Sequence, residues 1–205
     1  MQNENDLSPL QSLALIESML NKAKNRFSEN GHLYFLWGWI VFFCAGLQFV
    51  LLHFFEYAEH YKAWMLTWVG VIYQIYYLKK RNKARGVRTY TDEIIGFVWI
   101  TFIILMFLIS FLLGRLGGTP DRYYQLITPV LLALYGMPVF LSGIILKFKP
   151  LIFGGIGCWI LSVIAIIVSP TISYDYMLLF VPLAMVVAWI IPGYYLKAKY
   201  KSEIV

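Results

Sequence analysis

Six stretches of the chain run for 16 to 24 residues without a single charged side chain: Leu33–Leu52, Ala63–Leu78, Ile94–Gly114, Tyr123–Leu146, Leu151–Ser169 and Tyr176–Leu196. A helix needs roughly 20 apolar residues, with a range of about 17–25, to cross the hydrocarbon core of a bilayer. The second stretch is short at 16 residues, so Lys62 and Lys79 are expected to snorkel to opposite interfaces. In lipid only helices and closed barrels satisfy their backbone groups, and these stretches are too long and uniform for barrel strands. Composition agrees: 60% of residues are apolar and 14% charged, against about 45–50% and 25% in a soluble domain. The expected fold is all-α, a polytopic bundle of six transmembrane helices. The 32 residues before Leu33 are polar or amphipathic, and no signal peptide is expected there.

Orientation follows from lysine and arginine. With the N-terminus in the cytosol, Lys22, Lys24, Arg26, Lys79, Lys80, Arg81, Lys83, Arg85, Arg88, Lys147, Lys149, Lys197, Lys199 and Lys201 all fall inside. That is 14 of the 17 basic residues, leaving Lys62, Arg115 and Arg122 outside. Such a split predicts N-in, C-in by the positive-inside rule. Tyrosines agree, since Tyr34, Tyr76, Tyr77, Tyr90, Tyr194, Tyr195 and Tyr200 mark the inner boundary and Tyr57, Tyr61, Tyr123, Tyr124, Tyr174 and Tyr176 the outer one. The net charge of +6 is then a topology signal, directed at anionic lipid headgroups on the cytosolic side. It gives no reason to invoke nucleic acid.

Three parts result: residues 1–31, a cytosolic tail and amphipathic helix; 32–197, the six-helix domain; and 198–205, a cytosolic tail. In the first, Ser8-Pro9-Leu10-Gln11 reads as a capping box with proline at the first helical position. Leu10, Leu13, Ile16, Leu20, Ala23 and Phe27 then recur at three and four until Gly31 offers a stop. This helix can lie along the inner leaflet. Alternatively, Leu13, Ile16, Leu20 and Phe27 can dock a second copy or a different protein. Inside the membrane, Pro138, Pro182 and Pro192 are expected to kink their helices. Gly154, Cys158 and Ser162 form a small-residue stripe that invites close helix packing. The endings Tyr76-Tyr77-Leu78-Lys79-Lys80, Ile144-Ile145-Leu146-Lys147 and Tyr194-Tyr195-Leu196-Lys197 are alike. Three hairpins of common ancestry would give that pattern, and so would any inward helix end.

The spans hold no Asp, Glu, Lys, Arg or His, which argues against proton-coupled pumps and carriers of charged solutes. Gln48 and Gln74 lie at depths roughly 13 Å apart and cannot pair directly. Gln48, Trp99, Trp159 and Trp189 are candidates to line an internal cavity. Cys44 and Cys158 read as buried packing residues rather than a disulfide. The chain has no Gly-Lys dipeptide for a phosphate loop, and Ser142-Gly143 lacks the Gly-x-Ser-Gly of an intramembrane protease. One constellation remains. His53, Glu56 and His60 follow the first span at spacings of three and four, so a helix continuing outward would place them on one face. There they could bind zinc or a similar cation, with Asp121, Asp175 or Tyr123 completing the set; a solvated loop would need the same polar residues. No other cofactor is expected.

The stretches Asn21-Lys22-Ala23-Lys24-Asn25-Arg26-Phe27-Ser28-Glu29-Asn30-Gly31, Leu36-Trp37-Gly38-Trp39 and Thr89-Tyr90-Thr91-Asp92-Glu93-Ile94-Ile95-Gly96 resemble those of a family of uncharacterised small six-span bacterial inner-membrane proteins. The resemblance covers the whole chain. It implies a multi-pass protein of the bacterial inner membrane and brings no activity, substrate or catalytic residue. Three functions stay open, in this order: a non-enzymatic binder or transporter of an uncharged or lipid-like molecule, a regulatory or assembly subunit acting through the N-terminal helix, and an enzyme using the His53–His60 loop.

Overall fold

The computed structural model describes Leu13 and residues 31–85, 90–116 and 119–202. The amphipathic helix expected around Leu13, Ile16, Leu20 and Phe27 lies outside these residues except for Leu13, which is helical and exposed. The described chain forms α1 (His32–His53), a 3-10 helix (His60–Met65), α2 (Leu66–Arg85), α3 (Tyr90–Leu116), α4 (Pro120–Ile145) and α5 (Lys149–Val168). It ends in α6 (Tyr174–Met177), α7 (Phe180–Met185), a π-helical turn (Val186–Ile190) and α8 (Ile191–Ser202). No strand occurs among the described residues. Five segments are long and apolar enough to cross a membrane: α1, most of α3 and of α4, α5, and the run Tyr174–Tyr200.

The short second stretch is where the count falls below six. Its first residues, Ala63 to Met65, belong to the 3-10 helix, and α2 begins only at Leu66. From Leu66 to Leu78, before Lys79, α2 offers about 20 Å of apolar helix against a core of about 30 Å.

The core lies where α1, α4, α5 and the α7–α8 segment meet. Glycine lets them approach. A Cβ on Gly155 of α5 would stand 2.6 Å from the Phe140 Cβ and 2.9 Å from the Gly136 carbonyl of α4. On the other side of α5, a Cβ on Gly154 would stand 2.8 Å from the Ala188 Cα. Cys158 is fully buried one turn on, and Ser162 donates to the Pro129 carbonyl at 2.7 Å. The small-residue stripe therefore sits in a helix interface, shared between two neighbours. In contrast, α2 packs mainly on α1, and α3 on α4, leaving broad apolar faces of both exposed. Arg81 and Asp92 join α2 to α3 at 3.8 Å.

Two of the three prolines coincide with breaks. Proline has no N–H for the carbonyl four residues back, and its ring crowds that carbonyl. For Pro182 that residue is Leu178, and the regular helix is interrupted by a turn at Leu178 and Leu179, which keep right-handed helical dihedrals. Before Pro192 the helix widens into the π turn, where the Ile191 N–H reaches back five residues to the Val186 carbonyl. Pro138 behaves differently: with Pro129 it lies inside α4, which is continuous from Pro120 to Ile145. Trp159 donates its indole N–H to the Ala133 carbonyl at 3.1 Å, next to the Leu134 carbonyl that Pro138 cannot reach.

Candidate functional site

At the end of the bundle away from Lys79, Lys147 and Lys197, polar side chains from two elements, the 3-10 helix and α6, converge on Gln48 of α1. The Trp64 indole N–H, which can only donate, points to Gln48 Oε1 at 2.6 Å. That fixes the amide, so Nε2 is the donor facing His60 Nδ1 at 2.9 Å. His60 Nδ1 must then accept, and the ring is neutral with its proton on Nε2. Burial acts in the same direction, pushing the His60 pKa below its ordinary 6.5. Tyr174 lies at the margin of the cluster, its hydroxyl 3.5 Å from Gln48 Nε2. A buried amide at membrane depth is thereby saturated by a tryptophan and a histidine.

His53 is engaged elsewhere. Its Nδ1 meets Asp175 Oδ2 at 2.6 Å, the ring stacks on Phe49 at 5.2 Å, and the Ser173 hydroxyl donates to the other Asp175 oxygen. The condition for a shared His53–Glu56–His60 face was a helix running on past His53. Instead α1 stops there, and Glu56 takes the left-handed conformation at φ 47°. His53 is drawn to α6 and His60 to Gln48, so the three do not converge. Among the described residues no group of three or more His, Cys, Asp and Glu is placed to hold a metal ion. What the geometry does provide is a pair of latches, tying the 3-10 helix and α6 to the end of α1.

The four candidate cavity residues do not surround a common space either. Gln48 is occupied as above. Trp99 and Trp189 pack on each other at 5.0 Å and both contact the Tyr34 ring at 6.0 Å, filling the interior between α1, α3 and the π turn. Trp159 lies on the α4–α5 seam, against Phe140 at 4.9 Å. Cys44 and Cys158 are buried and unbridged.

Open space occurs instead at the side of the bundle, in a groove of about 480 Å³ between α1 and α2. The wall from α1 carries Phe35, Leu36, Trp39 and Phe43, spaced at helical intervals, and the wall from α2 carries Leu66, Val69 and Tyr73. Its lining is almost wholly apolar. At one end His32 Nε2 and the Tyr73 hydroxyl form a hydrogen bond of 2.9 Å. Between the same two helices Trp37 donates to Gln74 Oε1 at 2.6 Å, so this second glutamine also has an indole partner. The sequence hid this site because, His32 apart, its lining is apolar and aromatic like the rest of these helices; only the shallow curve between two helices distinguishes it. Comparison with protein families, curated proteins and solved structures finds no match to this chain.

Proposed function

We propose that this is a six-span protein of a bacterial inner membrane, with both ends in the cytosol, that binds a lipid-like molecule without chemical conversion. The resemblance to small inner-membrane proteins supports the location. The sixth span is supported by register: Trp64 meets Gln48, Gly70 faces Ile40, Gln74 meets Trp37 and Tyr73 meets His32, so α2 retraces α1 to its starting end. The 3-10 helix supplies the length that α2 lacks. The single observation that carries the binding reading is the α1–α2 groove, which is apolar and opens sideways where the bilayer would be. Entry from the membrane needs no polar pathway through the bundle. A second reading, a regulatory or assembly subunit acting through the N-terminal helix, is favoured by the ring-filled interior at Tyr34, Trp99 and Trp189.

The test is photo-crosslinking in membranes with a phospholipid carrying a photoreactive acyl chain, followed by peptide mapping. Labelling concentrated on Trp39, Phe43 and Val69 is expected. Equal labelling of the exposed α3 face at Ile100, Ile104 and Phe107 would mean that lipid contacts the protein everywhere alike, and would overturn the reading.

A further inference from the structure

We infer that the α1–α2 groove receives one acyl chain of an anionic phospholipid from the cytosolic leaflet, its headgroup held at the His32–Tyr73 end by Lys197. This deepens the lipid-binding reading and rests on it. Length comes first. From His32 to Phe43 the α1 wall climbs about 16 Å, close to half of the roughly 30 Å hydrocarbon core. The groove thus fits one leaflet's chain and stops near the midplane. Shape is the second argument. Trp39, Phe43, Leu66 and Val69 are all exposed on the protein surface while facing one another across the groove, so a flexible chain can cover both walls at once.

The ends differ in polarity, and that difference selects the headgroup. At the midplane end the walls are Phe43 and Leu66, with nothing polar between them. At the other end stand the His32–Tyr73 hydrogen bond and the ammonium of Lys197, which lies over the Phe35 ring at 5.8 Å from its centre. Phe35 itself lines the groove, so a chain laid along it brings its headgroup up to Lys197. Lys79 and Lys80 follow on α2 at the same end. The carboxylate of Asp92 on α3 lies 3.8 Å from Arg81 on α2. A phosphate ester with a net negative charge is the complement of such a mouth. An uncharged diacylglycerol would use only the apolar wall.

The experiment is native mass spectrometry of the full-length protein in non-ionic detergent, titrated with phosphatidylglycerol, phosphatidylcholine and diacylglycerol of matched chains. One tightly held phosphatidylglycerol is expected, preferred about fivefold over phosphatidylcholine, as one lysine at a membrane surface would give. Lys197→Gln should remove that preference while leaving binding of all three lipids. Val69→Trp, filling the groove from an exposed position, should weaken all three together, and Leu66→Trp should repeat the effect if the first variant is poorly folded. Equal affinity for the three lipids, still lost in Val69→Trp, would overturn the headgroup assignment and leave the groove reading standing. A preference that survives Lys197→Gln would overturn it as well. Binding unchanged in both groove-filling variants would overturn the groove and the assignment together.

Discussion

Gln48 shows how one polar residue at membrane depth can organise an end of the bundle. Its carbonyl receives the Trp64 N–H and its amide serves His60, so neither half is left to lipid. Unmet, such a buried group would cost on the order of 1–3 kcal/mol. The arrangement works only while His60 Nδ1 is bare, which gives it a pH dependence of definite sign. Burial lowers the His60 pKa in the fold below the ordinary 6.5, so the unfolded chain binds the proton first. Stability contributed by His60 is complete above the ordinary value and is lost as pH falls toward the folded one. In detergent, the thermal midpoint of the wild type should therefore fall between pH 8 and pH 5 by more than that of His60→Asn, whose amide oxygen can accept from Gln48 without titrating. Parallel profiles would show that His60 does not stay neutral in the fold. The sequence exposed Gln48 as an oddity in an apolar helix but not its partners, which stand 12 and 16 residues away beyond the end of α1. Likewise, nothing near His53 marks a helix end: neither glycine nor proline stands between it and His60. At the stop His53 meets Asp175, 122 residues distant, and a three-and-four spacing promised a face that the backbone does not supply.

Among the elements, the contrast between prolines is instructive. Pro182 and Pro192 break the last segment as the missing N–H predicts, because the carbonyls they abandon lie in a run that can shorten or widen locally. At Pro138 a tryptophan from α5 supplies a donor nearby, and α4 remains continuous. That contact comes from another helix, on the carbonyl beside the one Pro138 abandons, and cannot be read from α4 alone. The same seam holds the tightest packing. Gly154 was legible in a stripe with Cys158 and Ser162, whereas Gly155, one residue on, faces the opposite neighbour and closes on Gly136. Both faces of α5 should be intolerant of bulk. Gly155→Leu must displace the Gly136 backbone and Gly154→Leu that of Ala188, and overpacking of this kind costs about 1–3 kcal/mol or more. Each variant should lower the thermal midpoint in detergent well below that of Gly46→Leu, a control with nothing within 4 Å of its Cβ position. Equal midpoints for the three would mean that α5 does not meet its neighbours at these glycines.

At the scale of the whole molecule, the membrane class was written in six charge-free stretches, and five of them return as helices or helical runs of spanning length. The remaining one carries the topology, because without it α3 would start on the far side of the bilayer. Composition cannot decide it, since Leu66–Leu78 is too short alone. The folded register does bear on it. A helix that meets His32, Trp37 and Ile40 of α1 in reverse order must end where α1 begins. Gly31 adds that the chain's last helix finishes at that end too, since a Cβ on it would stand 2.8 Å from the Gly193 carbonyl. Single cysteines at Glu59→Cys and Lys83→Cys bracket α2 and test the crossing directly. Lys83 is exposed and the Glu59 side chain about half-exposed, and Cys44 and Cys158 are buried, so an impermeant maleimide should report the new thiols. In intact cells the reagent is expected to label Glu59→Cys at once and Lys83→Cys only after the membrane is opened. Labelling of both from outside would place α2 along the outer surface and reduce the protein to five spans. Labelling of Lys83→Cys alone would invert the orientation, and with it the leaflet from which the α1–α2 groove could draw its lipid.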